Sequence, residues 1–320
     1  WKFAPALACG CTLVVKPAEL TSLTALRIAE LALEAGVPAG AFNIVTGPGR
    51  VVGEAMVAHP DIDKITFTGS PSVGRQIMQG AAGNLKRVTL ELGGKSANVI
   101  FPDANLDAAV KAAGSGIFFN TGQVCSAGSR ILAHASIYDE VVERLAARAN
   151  TMRIGDPLEA STSMGPLVSA TQMKRVLDYI DIGRKEGASI VTGGERSGDR
   201  GFYVQPTVFA GVEHQMRVSQ EEIFGPVAAV VRFEDDDDAI RIANGTVYSL
   251  AAGVWTADVT RAHRFTRALK AGTVWVNTYG PTDIRLPWGG ARDSGLGREH
   301  GDMAIDNFTE PKAVWINTGR

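Results

Sequence analysis

The sequence predicts an α/β chain of two units, each a largely parallel sheet covered by helices. Three observations predict it. Short runs rich in β-branched residues alternate with longer amphipathic stretches along most of the chain. Glycine or proline stands at many of the junctions, with 36 Gly and 14 Pro in the sequence. The length of 320 residues holds about two domains of ~150 residues each.

The elements follow in order. A helix-like segment opens the chain at residues 1–8, and residues 12–16 form a strand that Pro17 stops. Thr21 starts a helix over residues 22–35, ended by Gly36 with Pro38 beyond. Strands follow at residues 42–45, 64–68 and 87–91, with helices from about 51 to 58 and from Ser70 through Met78. A second α/β unit begins with a helix over 103–119, a loop and a strand at 131–133. Ser136 is expected to cap a helix to Asn150, and Thr171 another to about Glu186. Strands near 189–192, 206–208, 228–232, 252–255 and 273–277 complete the pattern. Asp235 to Asp238 open a helix, where acidic groups suit the positive dipole end, and read as a solvated start rather than a metal site. The glycine pair Gly93-Gly94 reads as a hinge between units, giving domains at 1–93 and 94–304 and a C-terminal segment at 305–320.

Composition narrows the function. Thirty-two basic and 34 acidic residues leave a net charge of -2, which gives no reason to expect nucleic acid or an anionic membrane as partner. Apolar runs such as 227–231 are far too short to cross a bilayer, and no secretory signal is visible. Three cysteines make no disulfide framework and suggest a reducing, cytoplasmic compartment. Cys9-Gly10-Cys11 lacks nearby His or Cys and reads as a helix-to-strand junction rather than a metal site.

Two segments carry most of the chemistry. Cys125 lies between Gly122 and Gly128 among polar Asn120, Thr121, Gln123 and Ser126. A thiol in such a loop can be a covalent nucleophile, and the glycines would let backbone approach a substrate; an inert core cysteine is the alternative. Glu91 ends the strand 88–92 before the glycine pair. There a carboxylate can act as general base, or simply pair with Lys86, Arg87 or Lys95. Together they suggest a thioester that water must hydrolyse.

Nucleotide signals lie upstream. Gly47-x-Gly49-x-x-x-Gly53 follows a strand and opens a helix, but misses the dinucleotide fingerprint by one residue. Gly69-Ser70-Pro71-Ser72-Val73-Gly74 is a second glycine-bounded helix start whose N–H groups could hold a phosphate. Lys16 and Glu19 stand just past a strand's C-terminal end, where open α/β sheets bind ligands, or are surface charges. Glu19 would accept from ribose hydroxyls and repel a 2′-phosphate, favouring NAD over NADP.

These motifs resemble the aldehyde dehydrogenase superfamily from Trp1 to about Asn317. Residues 90–95 match its glutamate signature and 119–126 its cysteine signature. Glu221-Glu222-Ile223-Phe224-Gly225-Pro226, Phe67-Thr68-Gly69-Ser70 and Pro287-Trp288-Gly289-Gly290…Ser294-Gly295-Leu296-Gly297-Arg298-Glu299 match further motifs. The resemblance implies an aldehyde dehydrogenase-like fold, with part of a Rossmann-type cofactor domain beside an α/β catalytic domain. It implies NAD-dependent oxidation of an aldehyde to an acid of the hydrolytic type, with Cys125 as nucleophile and Glu91 activating water. Lys16 and Glu19 would hold the adenosine ribose, and residues 69–74 would face the pyrophosphate. Glu222 would hold the nicotinamide ribose and Phe224 would pack beside the ring. Gly49, Gly53, Phe67, Leu92 and Gly93 complete the expected cofactor contacts, and Lys2 and Glu310 would relay protons to Glu91. Val124, Ser126, Trp288 and the 279–286 loop would line the substrate tunnel, with Phe118 and Phe119 as apolar lining. Arg285 is a weak candidate for a substrate carboxylate, or a surface charge.

Full-length members carry a longer N-terminal portion and an asparagine of the oxyanion hole ahead of Trp1. The chain is therefore expected to be a piece of an active enzyme. Loss of that donor costs about 10²–10³ in rate, and loss of the leading strands would uncover apolar surface. A nucleotide-binding or assembly module, and a cysteine esterase without hydride transfer, are the competing readings. Members are dimers or tetramers, and residues 313–316 resemble their terminal strand.

Overall fold

The structure is a computed structural model that describes residues 1–319. Its first third alternates helix and strand as expected. Helix α1 (Phe3–Ala8) leads to β1 (Leu13–Val15), α2 (Ser22–Glu34), β2 (Phe42–Ile44), α3 (Glu54–Ala58), β3 (Lys64–Thr68), α4 (Pro71–Ala81) and β4 (Arg87–Glu91). The expected helix 51–58 is replaced by a π-helical stretch, Gly49–Gly53, running into α3. Thr21 makes no side-chain cap on α2, and that helix buries no residue, leaving Leu23 80% exposed. The strands form two small sheets. β1 pairs parallel with β2, and β3 parallel with β4.

The larger unit holds β5 (Ala97–Ile100), α5 (Leu106–Phe118), β6 (Arg130–His134), α6 (Tyr138–Asn150), α7 (Ala170–Lys185), β7 (Ser189–Thr192), β8 (Thr207–Ala210), α8 (Arg217–Gln220), β9 (Val227–Phe233), α9 (Asp236–Asn244), β10 (Ala251–Trp255), α10 (Val259–Ala268) and β11 (Thr273–Val276). The seven strands run β11-β10-β5-β6-β9-β8-β7 and are parallel except for the antiparallel β7–β8 pair at one edge. Period-two alternation splits the buried side chains between two faces. Val99, Leu132 and Val231 pack with Val176, Ile242 and Phe265 from α7, α9 and α10. Ile100, Ile131 and Val230 pack with Ile117 and Leu145 from α5 and α6.

Strand β5 is absent from the sequence reading. Its run is short and contains Asn98, a poor strand former in isolation. Tertiary structure overrides this, because all four residues are buried and the Trp255 Nε1–H donates to Asn98 Oδ1 at 2.9 Å. The caps also shift. Ser169 and not Thr171 accepts the Gln172 N–H at 3.1 Å, and the His134 ring, not Ser136, accepts at the start of the turn before α6. Asn105 caps α5, which leaves Asp103 to accept from Thr256 Oγ1 at 2.7 Å and pin the end of β10. Asp235 caps α9, and Asp236 and Asp237 pair with arginines of α10.

The last strand, β12 (Gly295–Leu296), returns to the first unit and pairs antiparallel with β4, so strand pairing crosses the expected boundary at Gly93-Gly94. Helix α11 (Met303–Asp306) follows. Residues 313–316 take no strand form here and pair with none of the chain's own sheet edges, and Trp315 is 95% exposed. Among the described residues, no helix is long and apolar enough to cross a membrane.

Candidate active site

Strand β4 delivers Glu91 to the junction of both units, where it is 5% exposed. Its Oε2 has no hydrogen-bond partner. The ion-pair alternative does not hold. Lys86 donates to the His59 carbonyl, Arg87 to the Thr309 carbonyl and Glu310, and the buried Lys95 Nζ has no partner. Burial, and then the neighbouring Glu299 carboxylate, push the Glu91 carboxyl up to about 8, with Lys2 and Arg298 opposing.

The thiol loop leaves α5 through a left-handed turn. Asn120, Thr121 and Gly122 have φ of 49°, 57° and 72°. Two of them carry side chains, so the turn stores strain of about 1–3 kcal/mol per residue. Hydrogen bonds hold it, from Thr121 Oγ1 to the Gly165 carbonyl at 3.0 Å and from Asn120 Nδ2 to the Gln123 carbonyl at 3.1 Å. Cys125 follows, half-buried against a cluster containing Trp275 and Trp288. Burial, then Glu91, then Glu222, push its thiol up to about 11, while the backbone N–H groups of Ser126 and Cys125 pull the other way. The thiol is thus protonated at neutral pH and needs a base to react.

The glycines around the thiol act differently from expectation. A Cβ at Gly122 would lie 2.0 Å from the Gly225 carbonyl oxygen, and one at Gly94 2.3 Å from that of Cys125. One at Gly93 would lie 2.2 Å from Glu222 Oε2. The glycine pair is therefore a close junction of β4, the thiol loop and Glu222, and Gly122 serves approach of protein to protein rather than to substrate. Gly122→Ala meets backbone at positive φ and is expected to cost about 2–4 kcal/mol. Gly93→Ala meets only the end of a flexible side chain. Thermal melting should show a large drop for the first and a small one for the second.

The cofactor candidates form three groups. Lys16 Nζ donates to the Pro17 and Gly47 carbonyls at 2.7 and 3.1 Å, and Glu19 Oε1 accepts the Gly49 N–H at 2.8 Å. These two side chains and Gly49 do meet past the ends of β1 and β2. A Cβ would find nothing within 4 Å at Gly53 and only Glu19 at 4.0 Å at Gly49, so this corner is open. In the second group, the Ser70 hydroxyl caps α4 by accepting from Val73 at 3.4 Å, and Pro71 stands at the first turn. Gly69 makes room for the Phe67 ring and Gly74 for Leu92, with Cβ distances of 2.4 and 2.8 Å, so both glycines have structural reasons. In the third, Glu222 Oε1 accepts from the Gly94 N–H at 3.0 Å, and burial raises its carboxyl. Phe224 takes φ 60°, its carbonyl held by Gln172 Nε2 at 2.7 Å.

An aldehyde dehydrogenase family profile matches residues 1–314. The chain belongs to the aldehyde dehydrogenase family. It is 52% identical over 320 residues to the aldehyde dehydrogenase of Aspergillus niger, covering 100% of this chain and 64% of that protein. The NAD+ complex of aldehyde dehydrogenase from Bacillus cereus superposes with a TM-score of 0.97 at 49% identity, covering 99% of this chain and 64% of that one. Indole-3-acetaldehyde dehydrogenase complexed with NAD+ gives a TM-score of 0.97 at 48% identity, covering 99% and 65%. The chain thus spans about two thirds of the length of these relatives. The fold of this aldehyde dehydrogenase family chain is the family's α/β fold over the part it covers.

Several expectations for the family site need correction. Glu310 is not beside Glu91; it pairs with Arg87 at 2.7 Å with its side chain 72% exposed. Lys2 pairs instead with Glu299, which is the carboxylate coupled to Glu91. Glu299 ends the motif at residues 287–299, and only its position in the fold distinguishes it from Glu310. Phe118 is 1% exposed within the core face of α5 and lines no opening, whereas Phe119 is 73% exposed. Arg285 forks onto Asp283 at 2.5 Å and is a surface pair. Trp1, Trp288, Trp275 and Tyr279 form an aromatic chain with centroid steps of 5.9, 6.3 and 4.6 Å. Trp288 also exchanges two backbone hydrogen bonds of 2.6 Å with Glu299, linking the thiol side of the site to the carboxylate side.

The raised Glu91 carboxyl has a stability consequence. Its ordinary value is 4.5 and its folded value about 8, so the folded state binds the extra proton across that window. Stability therefore falls as pH climbs from the lower value to the upper one. Glu91→Gln removes this loss, and is expected to melt about 2–5 °C above the parent at about pH 9 and level with it at about pH 4.

Proposed function

We propose that the protein carrying this chain oxidises an aldehyde to a carboxylic acid with NAD, through a thioester on Cys125. The observation that carries this reading is the pairing of a loop thiol with a buried carboxyl, Glu91, whose free oxygen has no protein partner and whose charge acts on that thiol. The Cys125 Sγ bonds the aldehyde carbon, with its proton passed to a base. The hemithioacetal formed on Sγ is an alkoxide, and loss of its hydride to the nicotinamide acceptor leaves a thioester. Glu91, once ionised, takes a proton from water, and the resulting hydroxide releases the acid and restores the thiol. Lys2 and Glu299 carry that proton away, since Lys2 holds one Glu299 oxygen and the other has no partner.

NAD supplies the hydride acceptor when bound. Lys16, Glu19 and the open corner at Gly49 and Gly53 would hold its adenosine end, Ser70 and the start of α4 its phosphates, and Glu222 its second ribose. Gly69, Gly74, Phe67 and Leu92 shape the α4 start, with Gly93 seating Glu222 and Phe224 facing the ring. The Glu19 carboxyl is held below its ordinary value by its own N–H and that of Gly49, so it is charged and disfavours a 2′-phosphate. The NAD+ complexes of the relatives support the same choice. We further place the protein in a reducing, cytoplasmic compartment on its free thiols, and read exposed residues 313–316 as an edge for a homodimer or homotetramer.

The test is growth of NADH absorbance over a panel of aldehydes, run on this chain and on a version extended upstream. Aldehyde-dependent growth is expected at least in the extended version. No NADH from any aldehyde in either would end the proposal.

A further inference from the structure

Tyr279 follows β11 and reaches back to the thiol loop. Its hydroxyl donates to the Ser126 carbonyl at 2.8 Å. Its ring lies in a socket of three glycines from three separate elements. A Cβ at Gly116 on α5 would stand 2.8 Å from a ring carbon, one at Gly128 in the thiol loop 2.9 Å, and one at Gly253 on β10 2.7 Å. No side chain fits at any of the three without moving the ring. Trp275 packs against the ring at 4.6 Å between centroids, and its own Nε1–H is fixed on the Pro281 carbonyl at 2.9 Å. The ring therefore has one seat, and its hydroxyl is held at the thiol loop with the buried Ser96 side chain also in reach.

We propose that Tyr279 is a positioning residue for Cys125: seated in the three-glycine socket, its hydroxyl fixes the Ser126 backbone and with it the backbone on which the sulfur sits. Anchoring the Ser126 carbonyl restricts rotation of the residue next to the thiol. The Ser126 and Cys125 N–H groups are the donors that favour the thiolate, so they lose their aim when that anchor goes. The burial of the phenol, which holds its pKa far above the ordinary range, keeps it a hydrogen-bond donor at all working pH. The inference rests on Cys125 as the nucleophile, but its test reads the thiol directly.

The experiment is alkylation by iodoacetamide across a pH series, followed by mass spectrometry, with Cys9 and Cys11 as internal reference thiols. Tyr279→Phe keeps the ring and removes one hydroxyl. Cys125 is expected to alkylate about 3–10-fold more slowly at neutral pH, with its apparent pKa moved upward, while Cys9 and Cys11 keep their rates. Gly253→Ala crowds the same ring from the strand side with the hydroxyl retained, and is expected to slow Cys125 in the same direction. Tyr138→Phe is the control; its hydroxyl also bonds backbone, at Val230 and Gly211, and should leave Cys125 unchanged. A Cys125 rate and pH profile in folded Tyr279→Phe within about twofold of the parent would overturn the proposal. If Tyr279→Phe does not fold, unchanged Cys125 in Gly253→Ala does the same. Failure to trap a thioester in the parent would remove the nucleophile reading instead, and leave the alkylation comparison standing.

Discussion

Cys125→Ser is expected to lower aldehyde-dependent NADH formation by at least about 10³-fold, measured at saturating NAD in a version extended upstream that supports turnover. Serine preserves the loop. The left-handed turn at Asn120 to Gly122 and the anchors on Gly165 and Ser126 do not involve the sulfur. What changes is nucleophilicity. Even the thiol is held up to about 11 by burial and two carboxylates, and a hydroxyl in that setting has no accessible anion. NAD affinity should be nearly unchanged, because Lys16 and Glu19 belong to a separate group past the ends of β1 and β2. Calorimetry with NAD checks this second half. Retention of more than about a tenth of parent activity in the serine variant would remove Cys125 from the chemistry.

Glu91→Gln is expected to give a burst of about one NADH per active thiol and then almost none, with a thioester on Cys125 visible by mass spectrometry. The amide cannot take a proton from water, so the acyl group stays. The parent should show its deacylation rate rising with pH through about 8, because Glu91 works only when ionised and burial delays its ionisation to that value. The same limb should vanish in the variant. Removing the Glu299 carboxylate with Glu299→Gln should move the limb to lower pH, since Glu299 is the like charge that raises Glu91. Sustained turnover in Glu91→Gln would transfer the base role elsewhere. The expected gain in melting temperature of that variant at alkaline pH has the same origin: a carboxylate kept where it cannot be paired costs stability once it ionises.

Much of the fold is legible in the sequence because its signals are local. Strands β3 and β4 lie where the runs of Ile, Val and Thr put them, and Ser70-Pro71 starts α4 as its cap chemistry demands. Strand β5 is not legible, because Asn98 becomes tolerable only when Trp255, 157 positions away, supplies a partner. Residues 313–316 pair with no strand of their own chain, and a strand completed by a second subunit would depend on contacts that local periodicity does not encode. In the site, the two signature segments name Cys125 and Glu91 without structure. The carboxylate whose charge acts on Glu91 is not legible, because Glu299 and Glu310 look alike in sequence and differ only in what surrounds them.

Sequence by itself determines the alternation of elements, the loop that carries the thiol and the strand that ends in the carboxyl. These follow from periodicity, turn residues and caps acting over a few neighbouring positions. Only the folded chain decides that Gly93 and Gly94 press on Glu222 and the Cys125 carbonyl, that Glu299 rather than Glu310 faces Glu91, and that Tyr279 sits among three glycines. Charge coupling and steric contact depend on distance in space. Residues brought together across the chain carry no mark of that meeting in their order.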